Sequence, residues 1–313
     1  MSPLAGDVVS WRDRRVAVTG AGGFLGGYLV RALKAHAARV TAICRGDVDL
    51  ATDTLGLVPL LGEARPEVVF HLAGHTNLDR SAHAADACMR GNVQTMISLL
   101  RALEGNRGCA VVFSSSLDVY GPGSLPFRED QRERPSSPYG VSKLAAEQLL
   151  AIAEGAFGLP HVVVRLSTIY GSGQRPPKLI PAVVAASVRG ERLPMGSREQ
   201  RRNFLHVDDA ITGLLRAAER PEALGEVINL AGDRELTVGE VVDAIRRQLG
   251  SCPEPEWGSF AASAGETTSW MADCAKAARL LDWRPTRDFA TALAETVSWY
   301  RQAMSGAEHQ PAP

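Results

Sequence analysis

The chain lacks any apolar run approaching the ~20 residues of a membrane-spanning helix. Met1 to Val9 also lacks a basic segment leading into an apolar signal core, so the expected compartment is the cytoplasm, with no membrane partner. Cysteine is sparse and scattered: Cys44, Cys88, Cys109, Cys252 and Cys274 show no C-x-x-C spacing. That excludes a zinc-finger pattern and argues against a disulfide framework; the five read as reduced packing residues. An excess of either charge is missing too, since 34 Lys and Arg stand against 35 Asp and Glu for a net charge of −1. Such a balance offers no electrostatic footprint for nucleic acid. Aromatics make up only 6%, and the five tryptophans do not cluster into a base-stacking platform; Trp257, Trp270 and Trp283 are expected to pack the C-terminal region.

What remains is an ordinary globular balance of 45% hydrophobic and 22% charged residues. At 313 residues the chain is long for one compact core, so one large α/β domain, or one with a smaller appendage, is expected. Short apolar runs at 16–19, 40–44, 68–72, 110–113 and 162–166 read as buried parallel strands. Helical patterns near 24–37, 53–64, 80–103 and 138–156 lie between or after them. This rhythm predicts an α/β fold with a doubly wound parallel sheet, its active groups gathered at the strands' C-terminal ends. After about Gly171 the pattern changes. A Pro-rich segment, a helix to Gly190, extended segments at 201–207 and 226–230, and helices near 237–249 and 287–303 suggest a smaller substrate-binding region interwoven with the sheet. The expected division is 1–170 for the dinucleotide-binding domain, 171–304 for the substrate region and 305–313 for a flexible tail.

Directly after the first strand comes Gly20-Ala-Gly-Gly23-Phe24-Leu25-Gly26, a G-x-x-G-x-x-G spacing that opens a helix. Glycines there permit a tight turn, close approach of a pyrophosphate to the backbone, and close packing of helix on sheet, which is the Rossmann solution for dinucleotides. The end of the second strand carries Cys44 and Arg45, where an NAD site usually offers a carboxylate to the adenosine ribose. A guanidinium there suits a 2′-phosphate, so NADP(H) is favoured, while Asp47 and Asp49 keep NAD(H) open.

Farther along, the fourth strand runs into Ser114-Ser-Ser116-Leu-Asp118-Val-Tyr120-Gly121, and a later helix opens with Ser137-Pro-Tyr139-Gly-Val-Ser-Lys143. Ser137 suits the cap and Pro138 the first helical position. Tyr139 and Lys143, four apart, share one helix face. A phenol with a pKa near 10 exchanges protons poorly at neutral pH unless its anion is stabilised, which the Lys143 ammonium and an oxidised nicotinamide would do. Ser116 would hydrogen-bond and orient the substrate oxygen.

These residues resemble the extended short-chain dehydrogenases/reductases of the NAD-dependent epimerase/dehydratase group. The likeness spans nearly the whole chain: the glycine loop, Asp49-Leu50, His71-Leu72-Ala73-Gly74, Asn92, Ser114 to Gly121, Tyr139/Lys143, Tyr170-Gly171 and Arg202-Asn-Phe-Leu-His206-Val-Asp208. The resemblance implies a catalytic set of Ser116, Tyr139 and Lys143, with Asp118 beside them. It implies cofactor contacts from Gly20, Gly23, Phe24, Leu25, Gly26, Arg45, Asp49, Leu50, Leu72, Ala73, Gly74, Asn92, Ser114, Tyr139, Lys143 and Leu166. Ser116, Tyr139, Thr168, Arg202 and His75 would face a small-molecule substrate of the nucleotide-sugar type. No metal is implied, because His71 and His75 lack a third ligand. Relatives pair through the helices near 80–103 and 138–156, so a homodimer is expected.

The group includes ketoreductases, epimerases and 4,6-dehydratases. Some dehydratases resemble Thr-Asp-Glu where this chain has Ser116-Leu117-Asp118, so one carboxylate is missing. Together with Arg45, this leans the expectation toward an NADPH-dependent 4-ketoreductase of a nucleotide-linked deoxysugar or a related ketone. The alternatives are an epimerase or 4,6-dehydratase holding NAD tightly, and a dinucleotide sensor without turnover. Arg202 resembles the family arginine that grips a diphosphate, but Thr168 and Ser263-Ala-Gly-Glu266 depart from the pattern around it. A lost charge-assisted contact costs roughly 1.5–3 kcal/mol. Either Arg192, Arg198 or Arg201 compensates, or the substrate carries no diphosphate.

Overall fold

The computed structural model describes residues 10–106, 108–250, 252–260 and 268–307, with the side chains of 305–307 excepted. Met1 to Val9 and Ser263 to Glu266 lie outside them. Six strands form one parallel sheet: β1 (Arg15–Thr19), β2 (Arg39–Ile43), β3 (Val68–His71), β4 (Ala110–Ser116), β5 (His161–Leu166) and β8 (Val227–Leu230). They stand in the order β2-β1-β3-β4-β5-β8. Because connections leave β1 toward one edge and β3 toward the other, a crevice opens beyond their carboxyl ends, where open α/β sheets hold ligands.

Helices cover both faces, as the near-continuous apolar runs of β1, β3 and β5 require. On one face α1 (Phe24–Ala35), α7 (Val207–Glu219) and α9 (Ala275–Leu281) bury Leu29, Leu33, Leu214 and Leu281 with Val16, Val18 and Val164. On the other, α2 (Leu57–Ala64), α4 (Thr95–Leu103) and α5 (Pro138–Phe157) pack Leu61, Leu99 and Leu150 over Val69 and Phe113. A further core joins α6 (Leu179–Arg189), α8 (Val238–Leu249) and α10 (Phe289–Ala307) to a small sheet of β6 (Thr168–Tyr170), β7 (Arg201–His206) and β9 (Glu235–Thr237). The C-terminal half thus contributes both this lobe and β8 of the main sheet.

Local signals set the edges. The Ser137 hydroxyl accepts from Gly140 N at 3.0 Å, Pro138 fills the first turn, and Gly158 ends α5 in the left-handed conformation. The helical segment at 80–103 is not continuous α: α3 (Ala82–Cys88) passes into a π turn over Met89–Gln94 before α4 begins. The pattern at 53–64 becomes helical only at Leu57, because Asp53 caps the preceding turn through Leu55 N and Gly56 N. α10 continues through Ala307, into the expected tail, the rest of which lies outside the described residues. No helix among the described residues is long and apolar enough to cross a membrane.

Candidate active site

A cleft of about 1160 Å³ runs along the carboxyl ends of β1, β3, β4 and β5. Its floor begins at the glycine turn. Gly20 has φ +70°, and a Cβ on it would fall 2.6 Å from Ala73 N; one on Gly26 would fall 2.1 Å from Gly20 O. Only glycine tolerates either place. No side chain caps α1 at Gly23, so the helix's first amides face a site where an anion suits them. This cradle fits the pyrophosphate of a dinucleotide.

The other end of the cleft gathers Ser116, Asp118, Tyr139 and Lys143, with Ser114, Leu166 and Thr168 along the wall. Tyr139 is buried, and burial pushes its phenol up to about 12; hydrogen bonding to Ser116 and Thr76 opposes that rise, while Asp118 adds to it. Lys143 is buried as well. Its Nζ donates to Ser114 O at 2.9 Å and lies 4.8 Å from the Phe113 ring centroid but 6.0 Å from that of Tyr139. Burial holds its ammonium down to about 8, with Glu147 pulling the other way. Among the chain's own groups, desolvation thus outweighs the lowering of the tyrosine expected from the lysine. Asp118 receives the Ser137 hydroxyl, and burial raises its carboxyl above the usual range.

Asn92, buried in the π turn, ties the site together without entering the cleft wall. Its Oδ1 accepts from His75 N at 2.9 Å, while its Nδ2 donates to His75 O at 3.0 Å and to Ser142 Oγ at 2.8 Å. The extra residue in that turn re-aims the side chain, a common use of π bulges near functional sites. Gly74 makes room for it: a Cβ there would lie 2.7 Å from Asn92 Oδ1 and 3.2 Å from Lys143 Nζ.

Of the other residues expected at the site, the cleft wall includes Gly20, Gly23, Phe24, Leu25, Gly26, Leu72, Gly74 and Arg202. Several more lie elsewhere. His75 packs its Cβ against Gly91, because Asn92 pins its backbone in that orientation. Arg45 is exposed outside the wall; at the same turn the Asp47 carboxylate accepts from Cys44 N at 2.7 Å. Leu50 is buried in the core, its carbonyl accepting from Ser98, and Asp49 caps its own turn through Ala51 N. Ala73 lies behind Gly20, packed on the core side of β3. His71 is also internal: its Nδ1 meets Thr19 Oγ1 at 2.8 Å, and burial lowers its pKa to about 3.

Other contributions were not legible. Thr76 reaches Tyr139, and Trp270, expected only to pack the C-terminal region, lines the cleft with the Arg202 guanidinium 5.3 Å from its ring centroid. Cations at the far wall come from Arg175 and Lys178, after the Pro-rich segment. Arg201 and Arg198 instead pair with Glu235 and Asp243. Neither they nor Arg192 line the cleft.

Comparison with known proteins agrees with this geometry. Residues 16–231 match the model of the NAD dependent epimerase/dehydratase family. The chain is 36% identical over 267 residues to a dTDP-glucose 4,6-dehydratase of Streptomyces antibioticus, covering 82% of this chain and 75% of that protein. MoeE5, solved with UDP-glucose and NAD, superposes with a TM-score of 0.85 at 32% identity over 92% of this chain and 99% of its own. The UDP-glucuronic acid 4-epimerase of Bacillus cereus, solved with UDP-glucuronic acid and NAD, gives 0.82 at 25% identity, again over 92% and 99%. With its six-stranded parallel sheet, glycine cradle and Ser116–Tyr139–Lys143 cluster, the chain is an enzyme that belongs to the NAD-dependent epimerase/dehydratase family of extended short-chain dehydrogenases/reductases.

Proposed function

We propose that the enzyme is an NAD-dependent epimerase inverting a carbinol centre of a nucleotide-linked hexose. One observation carries the choice: Leu117, at the position where dehydratase-like sequences offer a first carboxylate, is fully enclosed among Val119, Tyr120, Phe127 and Ala272. Eliminating water needs an acid for the leaving hydroxyl and a base for the carbon-bound proton. Among the described residues lining the cleft, Asp118 is the one carboxylate, and it is engaged by Ser137. Inverting a carbinol needs neither. It needs one group to take and return the hydroxyl proton, and Tyr139 lies in the cleft with Ser116 and Thr76 holding its phenol.

The ketoreductase expectation rested in part on Arg45 reading a 2′-phosphate. The Arg45 side chain lies outside the cleft wall, and the Asp47 carboxylate at that turn would repel a phosphate. NAD is therefore the proposed cofactor, in keeping with its presence in MoeE5 and the Bacillus cereus epimerase. When bound, it supplies the hydride acceptor and donor and a positive charge near the phenol. Lys143 keeps its ammonium beside Ser114 O, and Arg202, Arg175 and Lys178 offer the cationic wall for a diphosphate. We also propose a homodimer through α5, where Val141 and Ile152, eleven residues apart on one stripe, are 40% and 65% exposed.

The deciding experiment incubates the purified enzyme with UDP-glucose, UDP-glucuronic acid and dTDP-glucose and identifies products by NMR. Epimerised sugar without net consumption of nicotinamide is expected. A 4-keto-6-deoxy product would mark a dehydratase, and stoichiometric oxidation of NADPH with a keto sugar would mark a reductase.

A further inference from the structure

Behind Lys143 lies a buried charged cluster that the reaction above does not use. Arg165, on β5, is 1% exposed and forks onto Glu147 of α5, with Nε to Oε1 at 3.1 Å and Nη2 to Oε2 at 2.6 Å. The same Nη2 reaches Glu133 Oε1 at 2.5 Å. Ser115 donates its hydroxyl to Glu147 Oε1, and in the sheet register Ser115 sits directly opposite Arg165. The far side of the guanidinium rests 4.7 Å from the centroid of Tyr120, whose hydroxyl is fixed on Asn229. Both oxygens of Glu147 are thus occupied and its position is set.

Glu147 lies one helical turn beyond Lys143, on the same face of α5. Arg165 alone would neutralise it. The partly exposed Glu133 offsets Arg165, so two buried cations (Lys143, Arg165) meet the buried Glu147 and the Glu133 carboxylate at the cluster's edge, and the four charges sum to zero. We infer that Glu147, held by Arg165, Glu133 and Ser115, is a positioning residue that keeps the Lys143 ammonium charged and fixes the Ser115–Ser116 end of β4. This deepens the reading above, in which Lys143 belongs to the catalytic set. The ionisable groups facing Lys143 are Tyr139 and Glu147 from its own helix and His71 from β3, with Asp118 beyond Tyr139. Of these, Glu147 is the one that holds the ammonium in its protonated form against burial. His71 is neutral above about 3 and adds no repulsion.

The chain has four lysines, Lys34, Lys143, Lys178 and Lys276, so NMR of lysine-labelled protein resolves each titration without any substrate. In Glu147→Gln the Lys143 midpoint should fall by about one pH unit or more, and in Glu133→Gln by less in the same direction. The other three lysines should not move. Where the enzyme turns over, the alkaline limb of kcat should shift with the lysine while KM stays within about two-fold, and Glu147→Asp should restore part of both. An unchanged Lys143 midpoint in folded Glu147→Gln overturns the assignment. If that variant does not fold, Glu133→Gln, partly exposed, carries the same test, and an unmoved midpoint there overturns the assignment equally. A lysine shift without epimerisation would keep the positioning role and sink the proposed reaction instead.

Discussion

Lys143 donates to the carbonyl of Ser114, 2.9 Å away, while the ring of Tyr139 stands 6.0 Å from the same ammonium. The lysine is thus anchored on the strand end, and among the protein's own groups burial dominates the phenol's titration and keeps it protonated.

That arrangement makes the Tyr139 oxygen dispensable for structure and indispensable for proton exchange. Tyr139→Phe keeps the ring and its packing. Turnover should fall by about 10²–10⁴-fold, while dinucleotide affinity stays within a few-fold, as measured by product assay and calorimetry. Activity within ten-fold of wild type would remove Tyr139 from the chemistry.

The buried lysine also leaves a pH signature in stability. Its ammonium titrates near 8 in the fold, against an ordinary lysine value of 10.5. Below pH 8 both folded and unfolded chains carry the charge, and the fold bears the full cost of burying it. Above 10.5 both are neutral and the cost is gone, so this group's contribution improves as pH rises between the two values. Relative to wild type, Lys143→Met should therefore be more stable at pH 7 than at pH 10.5 by about 3 kcal/mol. Urea unfolding at both pH values reads the difference; equal differences would place the lysine in a more solvated setting.

The sheet, the glycine turn and the Ser137-capped helix were legible because each rests on local chemistry: apolar runs, a left-handed glycine, a hydroxyl at a helix start. Asn92 was identifiable as a residue near the site, but the π turn that aims it is set by packing against His75 and Ser142. Thr76 escaped notice, and Trp270 was expected only to pack the C-terminal region, because both reach the cleft through tertiary approach of the 71–78 loop and the segment before α9. The cationic wall was sought at Arg198 and Arg201, which the fold commits to Asp243 and Glu235. Sequence proximity to Arg202 was a poor guide, since adjacent residues on β7 point to opposite faces.

Neighbouring glycines in the cradle should respond in opposite ways. A Cβ at Gly26 collides with Gly20 O at 2.1 Å, whereas at Gly27 its nearest neighbour is 3.7 Å away. Gly26→Ala should lose retained dinucleotide and melt at lower temperature. Gly27→Ala should keep both, and Gly20 would then be the turn's sole constraint only if Gly26→Ala also behaved as wild type.

The choice of dinucleotide is open to a similar contrast. Arg45→Ala should leave NAD affinity within about three-fold, because the side chain is exposed and absent from the cleft wall. Asp47, likewise exposed and outside the wall, acts at that turn through its negative charge and its hold on Cys44 N, so Asp47→Ala should narrow the advantage of NAD over NADP by about ten-fold. A selective loss of NADP binding in Arg45→Ala would instead restore the phosphate-reading role expected from the sequence.

The exposed stripe on α5 gives the last test. Val141 and Ile152 project from a helix whose opposite side carries Tyr139, Lys143 and Glu147 into the core, so a charge on the stripe touches no buried contact of the site. Ile152→Glu, at 65% exposure, should cost little in a monomer. In a dimer paired across this face, the two copies would bring like carboxylates together in a desolvated contact. Light scattering of Val141→Glu/Ile152→Glu should then report a single chain's mass with the melting temperature lowered. A mass and melting temperature equal to wild type would place the subunit contact elsewhere.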